Sequence, residues 1–287
     1  MGEKRARDPE KEAPPADAVD AMDEGSGDDE DFDMVDVEFE WFNYDAEVDF
    51  HGVKSLMRQL FDVDANLFNM SALADLILSQ PTIGSTVKVD GKATDAYAMI
   101  TALNTFEQRE KEPMKEVLGY LTEKARTNEA LALVPELING GKHVGLIFSE
   151  RLINVPSEIS PPMYSMLVDE VEAAVEDKEP YEFSHYLVLS KIYEEVESTL
   201  EMEDRKRKRA KGSSSSTFFF HPEDEVLQKH ALAHGSFRYT KEEDAVADSK
   251  RAFQEMGIKA SGYLILIEAS KFGDAVKAVN DYIRPPQ

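Results

Sequence analysis

The chain has 287 residues, 42% of them hydrophobic, enough for one large core or two small ones. It carries 57 acidic residues against 32 Lys and Arg, a net charge of −25, so its surface repels nucleic acid and anionic lipid and attracts basic proteins. It has no Cys, which excludes a disulfide framework, a thiolate zinc site and a cysteine nucleophile.

The N-terminus is basic, but no apolar core follows it, so it is not a secretory signal. Residues 1–34 are polar and punctuated by Pro and Gly, and they are expected to be a disordered acidic arm. Between Asp17 and Glu40 there are twelve acidic residues and no cation, among them Asp28, Asp29, Glu30, Asp31, Asp33, Asp36, Glu38 and Glu40. From Val35 to Trp41 apolar and acidic residues alternate, the period of a strand with one buried face. The arm therefore runs directly into a folded body, expected to be a single domain over residues 35–287.

Within the body, Phe50–Phe61 and Ser71–Ser79 show helical spacing. Ser85–Val89 predicts a strand, Asp90-Gly91 a tight hairpin turn and Tyr97–Phe106 the partner strand. Pro113 opens a helix with Met114, Val117, Leu118 and Leu121 on one face. Asn128–Asn139 predicts another, interrupted at Pro135 and ended by Gly140-Gly141. His143–Ser149 is an apolar strand, Glu150–Ile159 a loop, and Ser160-Pro161-Pro162 the cap of a helix carrying Met163, Met166, Leu167, Val171, Ala174 and Val175. Phe183–Tyr193 is a long strand.

Residues 201–216 break the pattern with a basic block and four serines, an exposed insertion. Arg205, Lys206, Arg207, Lys208, Arg209 and Lys211 fit a nuclear-import tag; the alternative is a solvated loop that pairs with the acidic arm. Order resumes at Thr217–Phe220. Thr240 with Glu243 reads as a capping box, and the helix after it carries Val246, Ser249, Phe253 and Met256. Tyr263–Ile267, the longest aliphatic-aromatic run, is far too short for a membrane span and reads as a central strand. Ser270–Ile283 is a last helix with Phe272, Ala275, Val276, Val279 and Ile283 inward. The sum is an α+β or α/β sandwich around a single mixed sheet.

Sites for small-molecule chemistry are weakly marked. His230 and His234 lie four apart, as if on a helix, but lack the Glu and third ligand of a zincin; surface or capping roles fit better, and no metal is expected. Asn139-Gly140-Gly141-Lys142 precedes a strand and lacks the Walker pattern, so it reads as a helix-to-strand turn. The order strand 143–149, loop, helix from Ser160, strand 183–193 is the plan by which GNAT-type acetyltransferases hold coenzyme A. Here the loop has no Gly, a single cation, two acids and Pro156, so neither an acyl-CoA site nor any other cofactor is expected.

At that loop the chain resembles a known family. Ser149-Glu150-Arg151-Leu152-Ile153-Asn154-Val155-Pro156, followed by Pro161-Pro162-Met163-Tyr164, is similar to the signature of the BCCIP family, and the likeness extends over about residues 35–285. The resemblance implies a GNAT-like fold without acetyltransferase activity. It further implies a nuclear chaperone or escort for a basic large-subunit ribosomal protein of the universal L-fourteen type, working with nuclear import and export factors. A monomer that shuttles between nucleus and cytoplasm, without nucleic acid or membrane, is the expectation. Leu152, Ile153 and Val155, with Ile159, are candidates for covering the partner's apolar face; the alternative is packing beneath the loop.

Overall fold

The protein is described from a computed structural model, which covers residues 37–195, 217–242 and 258–283. The acidic arm through Asp36, the basic block at 205–211, and the capping-box Glu243 with its helix lie outside the described residues. Among the described residues one eight-stranded mixed sheet is flanked by seven helices.

The strands are β1 (Phe39–Asn43), β2 (Ser85–Val89), β3 (Ala98–Asn104), β4 (Val144–Arg151), β5 (His185–Glu195), β6 (Thr217–Phe219), β7 (Ala233–Phe237) and β8 (Ile258–Glu268). The helices are α1 (Ala46–Phe61), α2 (Met70–Leu78), α3 (Glu112–Arg126), α4 (Leu133–Asn139), α5 (Ser160–Glu176), α6 (Pro222–Leu227) and α7 (Ala269–Tyr282). The sheet order is β1-β2-β3-β4-β5-β8-β7, with β6 added to β5. All pairs are antiparallel except β4 with β5, which α5 connects as a parallel crossover.

Strand alternation divides the core in two. Phe148, Leu187, Leu189, Leu264 and Leu266 face α1–α4, while Ile147, Val188, Ile192, Ile265 and Ile267 face α5–α7. A strand covered on both faces needs apolar residues at every position, and Tyr263–Ile267 of β8 lies, as expected, inside the sheet. Each fully buried Leu or Ile contributes about 1.5–3 kcal/mol.

Several boundaries differ from expectation, each for a local reason. The first strand is Phe39–Asn43, because its ladder to β2 starts at Phe39–Val89; the alternation holds, with Glu38 and Glu40 exposed and Phe39 and Trp41 half-buried. Helix α1 begins four residues early, at Ala46. Asp45 accepts from the Glu47 N–H at 3.2 Å, and its own N–H donates to Asp49 at 2.8 Å. The expected Asp90-Gly91 hairpin is the start of a longer loop through Tyr97. Lys88 reaches into it: Nζ donates to the Lys92 carbonyl at 2.7 Å and pairs with buried Asp49 at 2.6 Å. Pro135 does not interrupt a helix. It sits in the first turn of α4, where no N–H is needed, and a 3-10 turn over Glu129–Leu131 precedes it. Ser160 does not cap α5; its hydroxyl donates to the Ser157 carbonyl at 2.9 Å, within the 3-10 turn Ser157–Ile159.

Candidate functional site

The expected loop Glu150–Ile159 is shorter than its sequence implies. Strand β4 continues through Arg151 because β3 pairs with it to the end, Met99 opposite Glu150 and Ala98 opposite Arg151. The Leu152 N–H then donates to the Tyr97 carbonyl at 2.9 Å, and the Val155 N–H closes the turn on the Leu152 carbonyl at 3.0 Å. Leu152 is half-buried and touches both cores; Val155 and Ile159 are buried beneath α5. Val155, expected as a contact residue, is thus a packing residue. Ile153 alone presents a free apolar side chain, 86% exposed.

The two strand residues that sequence placed in the loop instead form a buried polar cluster. The β4–β5 ladder stops at Phe148–Leu189. Just past it, Glu150 meets Lys191 Nζ at 2.7 Å, Gln59 Nε2 at 2.9 Å and His221 Nε2 at 3.1 Å. Lys191 also donates to the Gln59 carbonyl at 2.9 Å and lies 4.2 Å from the centre of the Phe220 ring. Arg151 pairs with Glu223 at the start of α6, and the Ser190 hydroxyl donates to Asp224.

Burial alone would raise the Glu150 carboxyl. The hydrogen bond and charge of His221, and then Lys191, outweigh it and hold the group at about 2. Asp224 goes the other way: burial is the largest influence and Glu223 adds repulsion, pushing it up to about 7 despite His221, Ser190 and Arg151. The cluster fastens β4, β5 and α6 together. Its side chains line neither of the two grooves on the α5–α7 face.

The first groove, about 710 Å³, lies between β5, β6, α6 and β8. Ile192, Phe219 and Tyr263 line it, and Phe218 stands 56% exposed at its edge. His234 does not share a helix with His230. It sits on β7, its Nδ1 2.6 Å from the Tyr263 hydroxyl, which donates onward to Gln228 at 2.8 Å.

The second groove, about 420 Å³, lies between α5 and the N-terminal half of α7. Its floor is aromatic: Phe183 packs edge-on to Tyr186 at 5.3 Å, and Tyr186 stacks on Phe272 at 4.0 Å. Its rim carries Glu172, Glu176 and Glu182. Burial first, and then the Glu172 carboxylate, pushes the Tyr186 phenol up to about 12. Val175, one of the apolar residues the expected helix carries, is 37% exposed and lines this groove.

Of the expected contact residues, Asp28, Asp29, Glu30, Asp31, Asp33 and Asp36 lie outside the described residues, as does the basic block. The groove was not foreseen. Its signal was a charge bias: between Ser160 and Glu182 there are seven acidic residues and one cation, Lys178. The buried cluster had a signal too: Glu150 and Lys191 each stand two positions past an apolar run, Leu146–Phe148 and Leu187–Leu189.

A family model described as BCCIP matches residues 34–227. The chain belongs to the BCCIP family. Among its curated relatives, Protein BCP1 of Gibberella zeae is 68% identical over the whole of both chains. Protein bcp1 of Schizosaccharomyces pombe is 41% identical, over 86% of this chain and 89% of that one. A similar fold is seen in the crystal structure of BCP1 from Saccharomyces cerevisiae. That structure superposes with a TM-score of 0.59 at 24% identity, covering 88% of this chain and 91% of the other. These relatives are named as proteins, with no enzymatic activity indicated.

Proposed function

We propose that this BCCIP-family chain is a non-enzymatic nuclear chaperone. It holds a basic protein of the large ribosomal subunit, of the universal L-fourteen type, and escorts it between import and export factors. The observation that carries the reading is the distribution of charge. The net charge is −25, and the twelve acids between Asp17 and Glu40 include no cation. A free ribosomal protein presents Lys and Arg meant for RNA; an acidic surface speeds encounter and shields that charge until delivery. The block from Arg205 to Lys211 suits recognition by an import factor. Against catalysis stand the sealed cluster where β4 and β5 part and a Gly-free loop ahead of α5.

The test is affinity purification of the full chain from nuclear extract at moderate salt. One large-subunit ribosomal protein recovered near one-to-one is the expected result. Histones, or export receptors without a ribosomal protein, as the stoichiometric partners would replace this reading with a histone chaperone or a transport adaptor. Acetyl-CoA raising the melting temperature would reopen acyl transfer.

A further inference from the structure

We propose that the groove between α5 and α7 is where the chain seats a cationic amphipathic segment of its protein partner. Lys or Arg stems would lie along Val168 and Val175, above the buried Tyr186 and Phe272 rings, with their charges at Glu172, Glu176 and Glu182. The proposal deepens the chaperone reading and rests on its premise that the partner is basic.

Three features define the occupant. The floor is apolar and aromatic, so it favours a segment with carbon surface over a bare ion. Long cationic side chains supply both: a methylene stem to cover rings and a charged head to reach the rim. The rim is acidic and poorly countered. α5 carries Asp169, Glu170, Glu172 and Glu176 and no Lys or Arg. Glu170 is engaged by the Gly84 N–H at 2.7 Å, and Lys271 at the start of α7 is engaged by Glu268, which leaves the groove glutamates facing the opening. The same charge repels nucleic acid and anionic lipid, so a protein segment is the occupant.

Gly273 provides a steric test. It lies on α7, lines the groove and is exposed, and a Cβ built on it meets nothing within 4 Å. Gly273→Leu puts a side chain on the groove wall without changing charge, and its Cβ meets no neighbour. Gly119 on α3, over the opposite face of the sheet, is equally unhindered, so Gly119→Leu is the matched control.

The probe is a fluorescein-labelled peptide in which Lys and Arg alternate with Leu, titrated against the full chain by polarisation. Salt is held at ~0.3 M to screen contacts to the acidic arm. The expected result is saturable binding weakened about tenfold or more by Gly273→Leu and by the pair Glu172→Gln/Glu176→Gln, and unchanged by Gly119→Leu. Oligolysine, which lacks apolar side chains, should bind at least about tenfold more weakly than the alternating peptide. Equal binding by the Gly273→Leu protein, with an unchanged melting temperature, overturns the groove as the site. Equal affinity for oligolysine also overturns it, since charge alone would then suffice. If the peptide binds as expected but nuclear extract yields no ribosomal protein, the groove stands and the ribosomal reading falls.

Discussion

Two sets of carboxylates on this molecule behave oppositely. Glu150, Glu223 and Asp224 are buried and answered by Lys191, Arg151, His221 and Ser190. Glu172, Glu176 and Glu182 are exposed on the rim of an apolar groove. The first set belongs to the interior of the fold, where a buried charge without its partner is costly. The second is answered by water and is available to a partner at little cost to stability. Residue type is the same in both; burial and pairing decide which group holds the protein together and which is left for recognition.

Lys191 separates the two sets most visibly. Lys191→Met keeps an unbranched side chain of similar length but removes the cation from above Phe220 and from a Glu150 that is 1% exposed. Leaving one member of such a pair unpaired costs about 3–5 kcal/mol. A fall of that size in the urea unfolding free energy is expected. The same measurement on Glu172→Gln should give the wild-type midpoint. An unchanged midpoint for Lys191→Met would mean that the cluster is not what fastens β4 to β5.

Acid titration separates the two sets next. The Glu150 carboxyl sits at about 2 in the folded chain, below its ordinary value of 4.5. A depressed folded pKa gives stability that is fully present above the unfolded value and lost as pH falls through the folded one. That stability is about 3 kcal/mol and should disappear between roughly pH 4.5 and 2. Glu150→Gln should flatten this part of the stability curve, measured by chemical denaturation at each pH.

Much of this was legible in the chain and some was not, for physical reasons. Elements whose identity depends on their own residues were readable: Ser85–Val89 matches β2 residue for residue, and the inward face of α7, Phe272, Ala275, Val276, Val279 and Ile283, is buried as its spacing predicts. Features set by distant neighbours were not. Glu150 and Arg151 look like loop residues until β3 pairs with them and Lys191, His221 and Glu223 arrive from 41 to 72 positions later. Val155 looks like a contact residue until α5 folds over it, while Ile153, two positions earlier, stays exposed. The groove needed three separate stretches, α5, Tyr181–Tyr186 and the start of α7, to be brought together.

Within the cluster, Asp224 differs from Glu150 in having its pKa raised. A carboxylate whose folded value is raised, here to about 7 from 3.8, lowers stability as pH climbs between the two values, and the full cost is reached above the higher one. Asp224→Asn can still accept from the Ser190 hydroxyl and cannot ionise. It should therefore raise stability at pH 8, by something on the order of 2 kcal/mol, and raise it less at pH 5. A loss at pH 8 would show that the ionised form is needed by His221 and Arg151, and would place Asp224 with Glu150 as a committed anion.

The smallest effect tests the groove side without touching charge. Gly273→Ala puts a methyl into open space on a helix, which should stabilise the chain by about 0.5–1 kcal/mol through the lower entropy of the unfolded backbone. Gly84→Ala should do the reverse. Gly84 has φ +106, and its added Cβ would collide with the Tyr44 ring and meet the Ile100 carbonyl at 2.8 Å, in the packed corner where β2 leaves the α2 loop. Opposite signs in thermal melts would set the unpacked wall of the groove against the close-packed sheet edge. If Gly273→Ala were destabilising instead, a neighbour would have to close over that wall in solution, and the groove would not be open to receive a partner.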